Sequence, residues 1–143
     1  MPAIIAIETD DQIHACFPAL LALRPQLSAA TLLERIRRQY AQGYRLTAIQ
    51  AAGEFPALAG WRMLEFLAWG RVLYIDDLST LSQARRLGYG GMLLDWLIEH
   101  ARAAGCDGVH LDTGYQRHAA HRLYLARGFV FDCHHCALPL GAG

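Results

Sequence analysis

The chain has 143 residues, 54% hydrophobic and 18% charged, which suits one domain with a real core and argues against disorder. Its 13 basic and 13 acidic residues cancel, whereas a nucleic-acid binder usually carries a basic excess. No apolar run approaches the roughly 18–20 residues of a membrane span, and MPAIIAIETDD lacks the basic start and long apolar stretch of a signal peptide, so a cytoplasmic protein is expected.

In chain order, AIIAIE (3–8) reads as a short apolar strand. DDQIHACFPALLAL (10–23) reads as a helix capped by Asp10 or Asp11 and ended by Pro25. SAATLLERIRRQYAQG (28–43) reads as a second helix, with Thr31 and Glu34 as a capping box and Gly43 as its stop. YRLTAIQAA (44–52) alternates like a strand, and Gly53-Glu54 reads as a turn. The first half of FPALAGWRMLEFLAWG (55–70) suits the return strand of a hairpin, and RVLYIDDLST (71–80) is apolar enough to be central. A glycine-rich turn then leads into a helix with Leu93, Leu94, Leu97, Ile98 and Ala101 on one side, closed by Gly105. GVHLDTG (108–114) reads as a buried strand, HAAHRLYLARG (118–128) as a short helix, and FVFDCHHCALPL (129–140) as one or two final strands. The order is β-αα-βββ-α-β-α-β(β): an α/β or α+β fold with one mixed sheet flanked by helices, spanning residues 1–143 as a single domain. The 71–113 segment is a βαβ unit, which requires parallel strands and a right-handed crossover.

The turn RRLGYGG (85–91) holds three glycines within four positions, after two arginines. A helix N-terminus has unpaired N–H groups and partial positive charge, and glycine lets a ligand approach the backbone closely. Together these suit an anion, most often phosphate, with Arg85 and Arg86 adding charge. A phosphate-binding loop of the G-x-x-x-x-G-K-[ST] type is excluded, because Met92 and Leu93 follow Gly91. A G-x-G-x-x-G dinucleotide fingerprint fails at its third position, which is Leu93.

What remains is R-x-x-G-x-G at 85–90, between a strand and an amphipathic helix. This resembles the acetyl-CoA motif of the GNAT superfamily of N-acetyltransferases. YIDDLSTLSQARRLGYGGMLLDWL resembles the family's fourth strand, pyrophosphate loop and third helix, and HLDTG its fifth strand. AAHRLYLARGF, with Ala120, Tyr124, Gly128 and Phe129, resembles its A-x-x-x-Y-x-x-x-G-F signature. The resemblance is clear over 71–131, somewhat under half of the chain.

The resemblance implies an acetyl-CoA co-substrate whose pyrophosphate takes backbone N–H groups from Arg86, Leu87, Gly88, Tyr89, Gly90 and Gly91, beside Arg85. Main-chain groups of Leu78, Ser79 and Thr80 would pair with the pantetheine arm where the 72–80 strand splays from 109–113. The family often has Asn about seven residues before the tyrosine; here Arg117 stands there, contacting the cofactor in another way or facing solvent. Tyr124 is implied as the general acid that protonates the departing thiolate. For the base, Asp77 stands ahead of Asp76; adjacent strand residues point to opposite faces, so one faces the substrate unless a bulge turns both. Asp112, Glu65 and His110 are further candidates, and an N–H from Leu78 could polarise the thioester carbonyl.

Cys16 and Cys106 read as small apolar residues, and the cysteines are too scattered for a disulfide scaffold. In a strand, Cys133/His135 and His134/Cys136 face opposite sides and cannot converge on zinc, so no metal is expected. His118 and His121 share a helix face before Tyr124. Trp61, Leu64, Phe66, Leu67 and Trp69 read as core, with an acceptor-site lining or a homodimer contact as the other readings. The function expected is acetyl transfer from acetyl-CoA to a primary amine on a small molecule or peptide, without nucleic acid or membrane. The alternative is a catalytically silent acyl-CoA-binding module of the same fold.

Overall fold

The computed structural model describes residues 1–141. They form two compact units, Met1–Leu111 and the residues from Asp112 onward. The first unit runs β1 (Ala3–Ala6), α1 (Asp10–Ala15), α2 (Phe17–Leu23), α3 (Ala29–Tyr40), β2 (Arg45–Ala51), β3 (Glu54–Phe66), β4 (Gly70–Thr80), a 3-10 turn at Ser82–Ala84, α4 (Tyr89–Ala103) and β5 (Gly108–Leu111). The second holds α5 (His118–Ala126). No helix of the described residues is long and apolar enough to cross a membrane.

The sheet is mixed, in the order β1-β2-β3-β4-β5. The first three pairings are antiparallel, and β4–β5 is parallel, joined through α4. That is the βαβ unit expected from the pattern of 71–113. Two layers of helix cover the sheet. Leu46 and Ala48 of β2 join Ile13, Ala19, Leu32 and Ile36 of α1–α3 in one core cluster. Thr47, between them, faces the other way and accepts a hydrogen bond at 3.1 Å from Trp61, whose ring packs on Trp96 of α4. The apolar stripe of α4 lies as expected, with Leu93, Leu94, Leu97 and Ala101 buried.

Several expectations are corrected. The helix of 10–23 breaks at Cys16, because Pro18 enters the second piece near its start and cannot continue the α1 ladder. Its cap is neither Asp10 nor Asp11 but Thr9, in a reciprocal capping box with Gln12. The proposed Thr31–Glu34 box is absent: α3 begins at Ala29, and the Thr31 hydroxyl bonds the Ser28 hydroxyl at 3.0 Å. β3 runs through all of Glu54–Phe66, not half of that segment. Among the described residues no strand follows β5, so 129–140 supplies neither final strand. Its apolar side chains stay exposed, Val130, Phe131, Leu138 and Leu140 among them, because alternation makes a strand only where a partner ladder exists. Of the tryptophan-rich cluster only Trp61 is core; Leu67 and Trp69 are exposed. Cys16 is fully buried, and burial pushes its thiol up to about 12, in keeping with an inert apolar role.

One packing detail fixes the polar end of the sheet. Gly60 of β3 lies between Leu46 and Asp77 in the ladders. A Cβ built there would stand 1.8 Å from the Tyr44 hydroxyl oxygen. Gly60 is therefore the gap through which the Tyr44 side chain crosses β3. Gly60→Ala should destabilise the protein by about 2–3 kcal/mol through overpacking, in a urea titration. Gly88→Ala, whose Cβ meets nothing within 4 Å, should cost only the left-handed backbone term of about 1 kcal/mol. Equal losses for the two would refute the crossing as the constraint.

Candidate active site

β4 and β5 pair only from Val72–Gly108 to Ile75–Leu111. β4 continues to Thr80, paired on its other side with β3 through Ala59–Leu78, Leu58–Ser79 and Ala57–Thr80. Beyond Ile75 the second edge of β4 therefore has no partner strand among the described residues, as expected for the splay at Leu78–Thr80. An open edge offers alternating N–H and C=O groups to an extended ligand. The Ser79 hydroxyl is not part of that offer, since it donates to the Ala19 carbonyl at 2.7 Å.

The strand leads through Ser82–Ala84 to the loop of Arg85, Arg86, Leu87 and Gly88, all exposed. Arg86 and Gly88 both sit at positive φ, 68° and 80°. Gly88 is the N-cap of α4, and the first helical bond runs from the Met92 N–H to its carbonyl at 3.0 Å. The N–H groups of Tyr89, Gly90 and Gly91 precede that bond and have no partner within the helix. The first turn carries no acidic residue. The arrangement is a positive helix end with glycine on its face, suited to an anion.

Asp76 and Asp77 directly follow the part of β4 that is paired on both edges. A register shift opposite Gly60/Trp61 leaves Asp76 as the extra residue of a bulge. The bulge sends both carboxylates to the α3 face, where each meets an arginine. Asp77 Oδ1 accepts from Arg24 Nε at 3.0 Å, and Asp77 Oδ2 from the Tyr44 hydroxyl at 2.6 Å. Arg62 holds Asp76 through Nε and Nη2, and its guanidinium lies over the Tyr44 ring. Gln39 accepts from Arg62 at 3.3 Å, and the Asp76 carbonyl accepts from Arg24 Nη2 at 3.0 Å. Burial raises the Asp76 carboxyl, against the lowering by Arg62. Burial raises the Tyr44 phenol well above the usual range, and the negative charge of Asp77 adds to it. Both candidate bases are thus hydrogen-bonded to arginine. Asp77 is an anchored anion with both oxygens engaged.

The other base candidates are placed elsewhere. Glu65 pairs with Arg71 at the β3–β4 hairpin, the opposite end of β4 from Asp77. His110 stacks on Trp69 at 4.4 Å. Arg24, Tyr44, Gln39 and Arg62 went unnoticed in the sequence. The one local signal was Gly60 inside a strand, the mark of a close approach.

In the second unit, Tyr124, Gly128 and Phe129 form the end of α5. Gly128 takes φ 90°, and the Phe129 N–H reaches back to the Tyr124 carbonyl at 3.1 Å. The Tyr124 and Phe129 rings pack at 5.7 Å. This is a Schellman cap with its hydrophobic contact, which gives the Y-x-x-x-G-F spacing a physical reason. Tyr124 is buried, and desolvation raises its phenol, with Arg117 opposing. Arg117 is the N-cap residue of α5 and makes no side-chain cap bond. His121 bonds the Gly114 carbonyl at 2.8 Å and lies 5.9 Å from His118, ring to ring. His134 meets Tyr115, and His135 meets Asp112, so the two histidines of CHHC go to different partners. Among the described residues no group of three or more His, Cys, Asp or Glu could hold a metal ion.

The acetyltransferase (GNAT) family model matches residues 11–129. An uncharacterized N-acetyltransferase of Bacillus subtilis, YhdJ, is 36% identical over 118 residues, covering 81% of this chain and 83% of that protein. The fold is similar to a transcriptional regulator from Bacillus halodurans, with TM-score 0.83 at 21% identity over 98% of this chain and 100% of that one. It is also similar to the aminoglycoside N-acetyltransferase AAC(6')-Iy solved in complex with CoA, with TM-score 0.83 at 14% identity over 97% and 94% of the two chains. The splayed strand, the glycine-capped helix and these matches together establish that the chain belongs to the GNAT family of N-acetyltransferases.

Proposed function

We propose that residues 1–143 work as one acetyltransferase domain that moves an acetyl group from acetyl-CoA to a primary amine. The open edge of β4 beside the glycine-capped start of α4 carries this reading. One strand-loop-helix run offers an edge for the amide-bearing pantetheine arm and N–H groups for the pyrophosphate. In this assignment Leu78, Ser79 and Thr80 pair with pantetheine through their main chain. Residues Arg86 to Gly91, with Arg85, take the pyrophosphate, and Arg117 is a further cofactor contact.

The neutral amine attacks the thioester carbonyl carbon. The C–N bond forms as the C–S bond breaks, and Tyr124 gives its proton to the departing thiolate. Its raised pKa suits the role, because the phenol stays protonated across the working range. With Asp76 and Asp77 both held by arginines, the ammonium proton goes to water. This favours an enzyme limited by the neutral fraction of its own acceptor.

Calorimetric titration with acetyl-CoA should show micromolar binding, with none for ATP or NAD. Gly90→Asp should abolish it by placing bulk and negative charge at the pyrophosphate. Unchanged affinity in that variant would move the cofactor elsewhere. Tyr124→Phe should retain acetyl-CoA and lose about 10²–10⁴ in kcat. The wild-type kcat should not decline until pH is above about 10, where the phenol begins to ionise. A decline centred near pH 8, or an unaltered kcat in the variant, would remove Tyr124 as the acid. If acetyl-CoA binds and no amine releases CoA, the chain is an acyl-CoA-binding module instead.

A further inference from the structure

We propose that Arg24 is the recognition group for an anionic end of the acceptor, so that the acceptor is a small primary amine bearing a phosphonate, phosphate or carboxylate. This rests on the acetyltransferase reading above.

The balance of the polar network carries the inference. Asp76 and Asp77 are matched by Arg62 and Arg24, so the cluster is neutral as a whole. Its members differ in exposure. The Asp77, Asp76 and Arg62 side chains are 16%, 25% and 19% exposed, whereas Arg24 is 41% exposed. The solvent-facing member is thus the cation. Both carboxylate oxygens of Asp77 already accept hydrogen bonds, from Arg24 and Tyr44, so an incoming ammonium would share each oxygen with a donor already in place.

The guanidinium, in contrast, has donors to spare. Nε and Nη2 of Arg24 are fixed by Asp77 and the Asp76 carbonyl. Among the described residues no hydrogen bond reaches Nη1. A guanidinium carries five N–H donors in a rigid plane, so fixing one edge aims the other. The Arg24 plane is oriented before any ligand arrives, which lowers the ordering cost of binding an anion. Its position suits a short acceptor. Arg24 is bonded to residues 76 and 77 of β4, and the proposed pantetheine contacts begin at Leu78, one strand residue further and roughly 3.3 Å along. An amine nitrogen at the thioester and an anion at Nη1 then belong to one molecule of a few bonds.

The test uses the intact protein with 2-aminoethylphosphonate, 3-aminopropionate, methylphosphonate and ethanolamine as probes. In wild-type protein the ¹⁵N-labelled side-chain Nε–H signal of Arg24, assigned by its disappearance in Arg24→Lys, should shift saturably with the three anions and not with ethanolamine. In a CoA-release assay Arg24→Gln, which keeps an N–H for Asp77, should raise KM for 2-aminoethylphosphonate at least tenfold. The ratio of its kcat/KM for 2-aminoethylphosphonate to that for ethanolamine should fall at least tenfold. Absence of a saturable shift in the wild type overturns the proposal whatever the variant does. So does an equal rise in KM for the charged and the neutral amine, which marks Arg24 as merely structural. A saturable shift without turnover of any amine preserves the anion seat and removes the acetyltransferase reading. Turnover of amines without a shift does the reverse.

Discussion

The hydrogen bond from Tyr44 to Asp77 is the constraint on which this end of the sheet depends. A buried carboxylate is tolerated only when its oxygens are satisfied, and removing a partner leaves a costly charge. Two adjacent carboxylates double that requirement. The chain meets it with side chains from four elements: Arg24 after α2, Tyr44 before β2, Arg62 on β3 and Gln39 on α3. Tyr44 can contribute only by crossing Gly60, where any side chain would collide with it. The absence of a side chain at one β3 position thus decides whether β4 can end in two aspartates.

That network sits where the sheet gives up its ladder. β5 stops opposite Ile75, and the bulge at Asp76 follows directly. A strand that loses a neighbour normally frays, because half of its backbone groups turn to water. Here the arginine at the end of α2 takes the Asp76 carbonyl, and Ser79 is tied to α2 through the Ala19 carbonyl. Both ties lie on the β4 segment that extends past β5. Residues 78–80 are held straight while their free edge stays open, which is what an extended ligand requires. Fixing the edge beforehand moves the ordering cost from binding to folding.

The local parts of this design were legible in the sequence and the non-local parts were not. Helix α4, its glycine start and the parallel pair around it follow from period, cap and turn chemistry within some 40 residues. The Tyr124–Phe129 signature is equally local, since it is the closing turn of one helix. In contrast, Tyr44 and Asp77 are 33 residues apart, and Arg24 and Asp77 are 53 apart. No spacing rule joins them, and only the register that places Gly60 beneath Tyr44 does. Strand alternation separates neighbours such as Asp76 and Asp77 onto two faces unless a bulge turns both, and the bulge at Asp76 does so. Their arginine and tyrosine partners come from distant segments that no local pattern joins to them. The last strands failed for a related reason. FVFDCHHCALPL has the alternation but no ladder among the described residues, and alternation alone does not bury Phe131 or Leu138.

This division between local and non-local has a consequence for specificity. The cofactor half of the reading rests on a strand edge and a helix start, both made mostly of backbone. Backbone recognises what every acetyl-CoA offers, so such a site can be shared by relatives that acetylate different amines. The polar cluster rests on side chains that meet only through tertiary structure, and each can change without disturbing the glycine loop. A chain that altered Arg24, Arg62 or their aspartates would keep its glycine loop and change the charge beside the open edge of β4. In the proposal above, discrimination among acceptors falls to the charged side chains where β5 stops, and not to the backbone of the glycine loop.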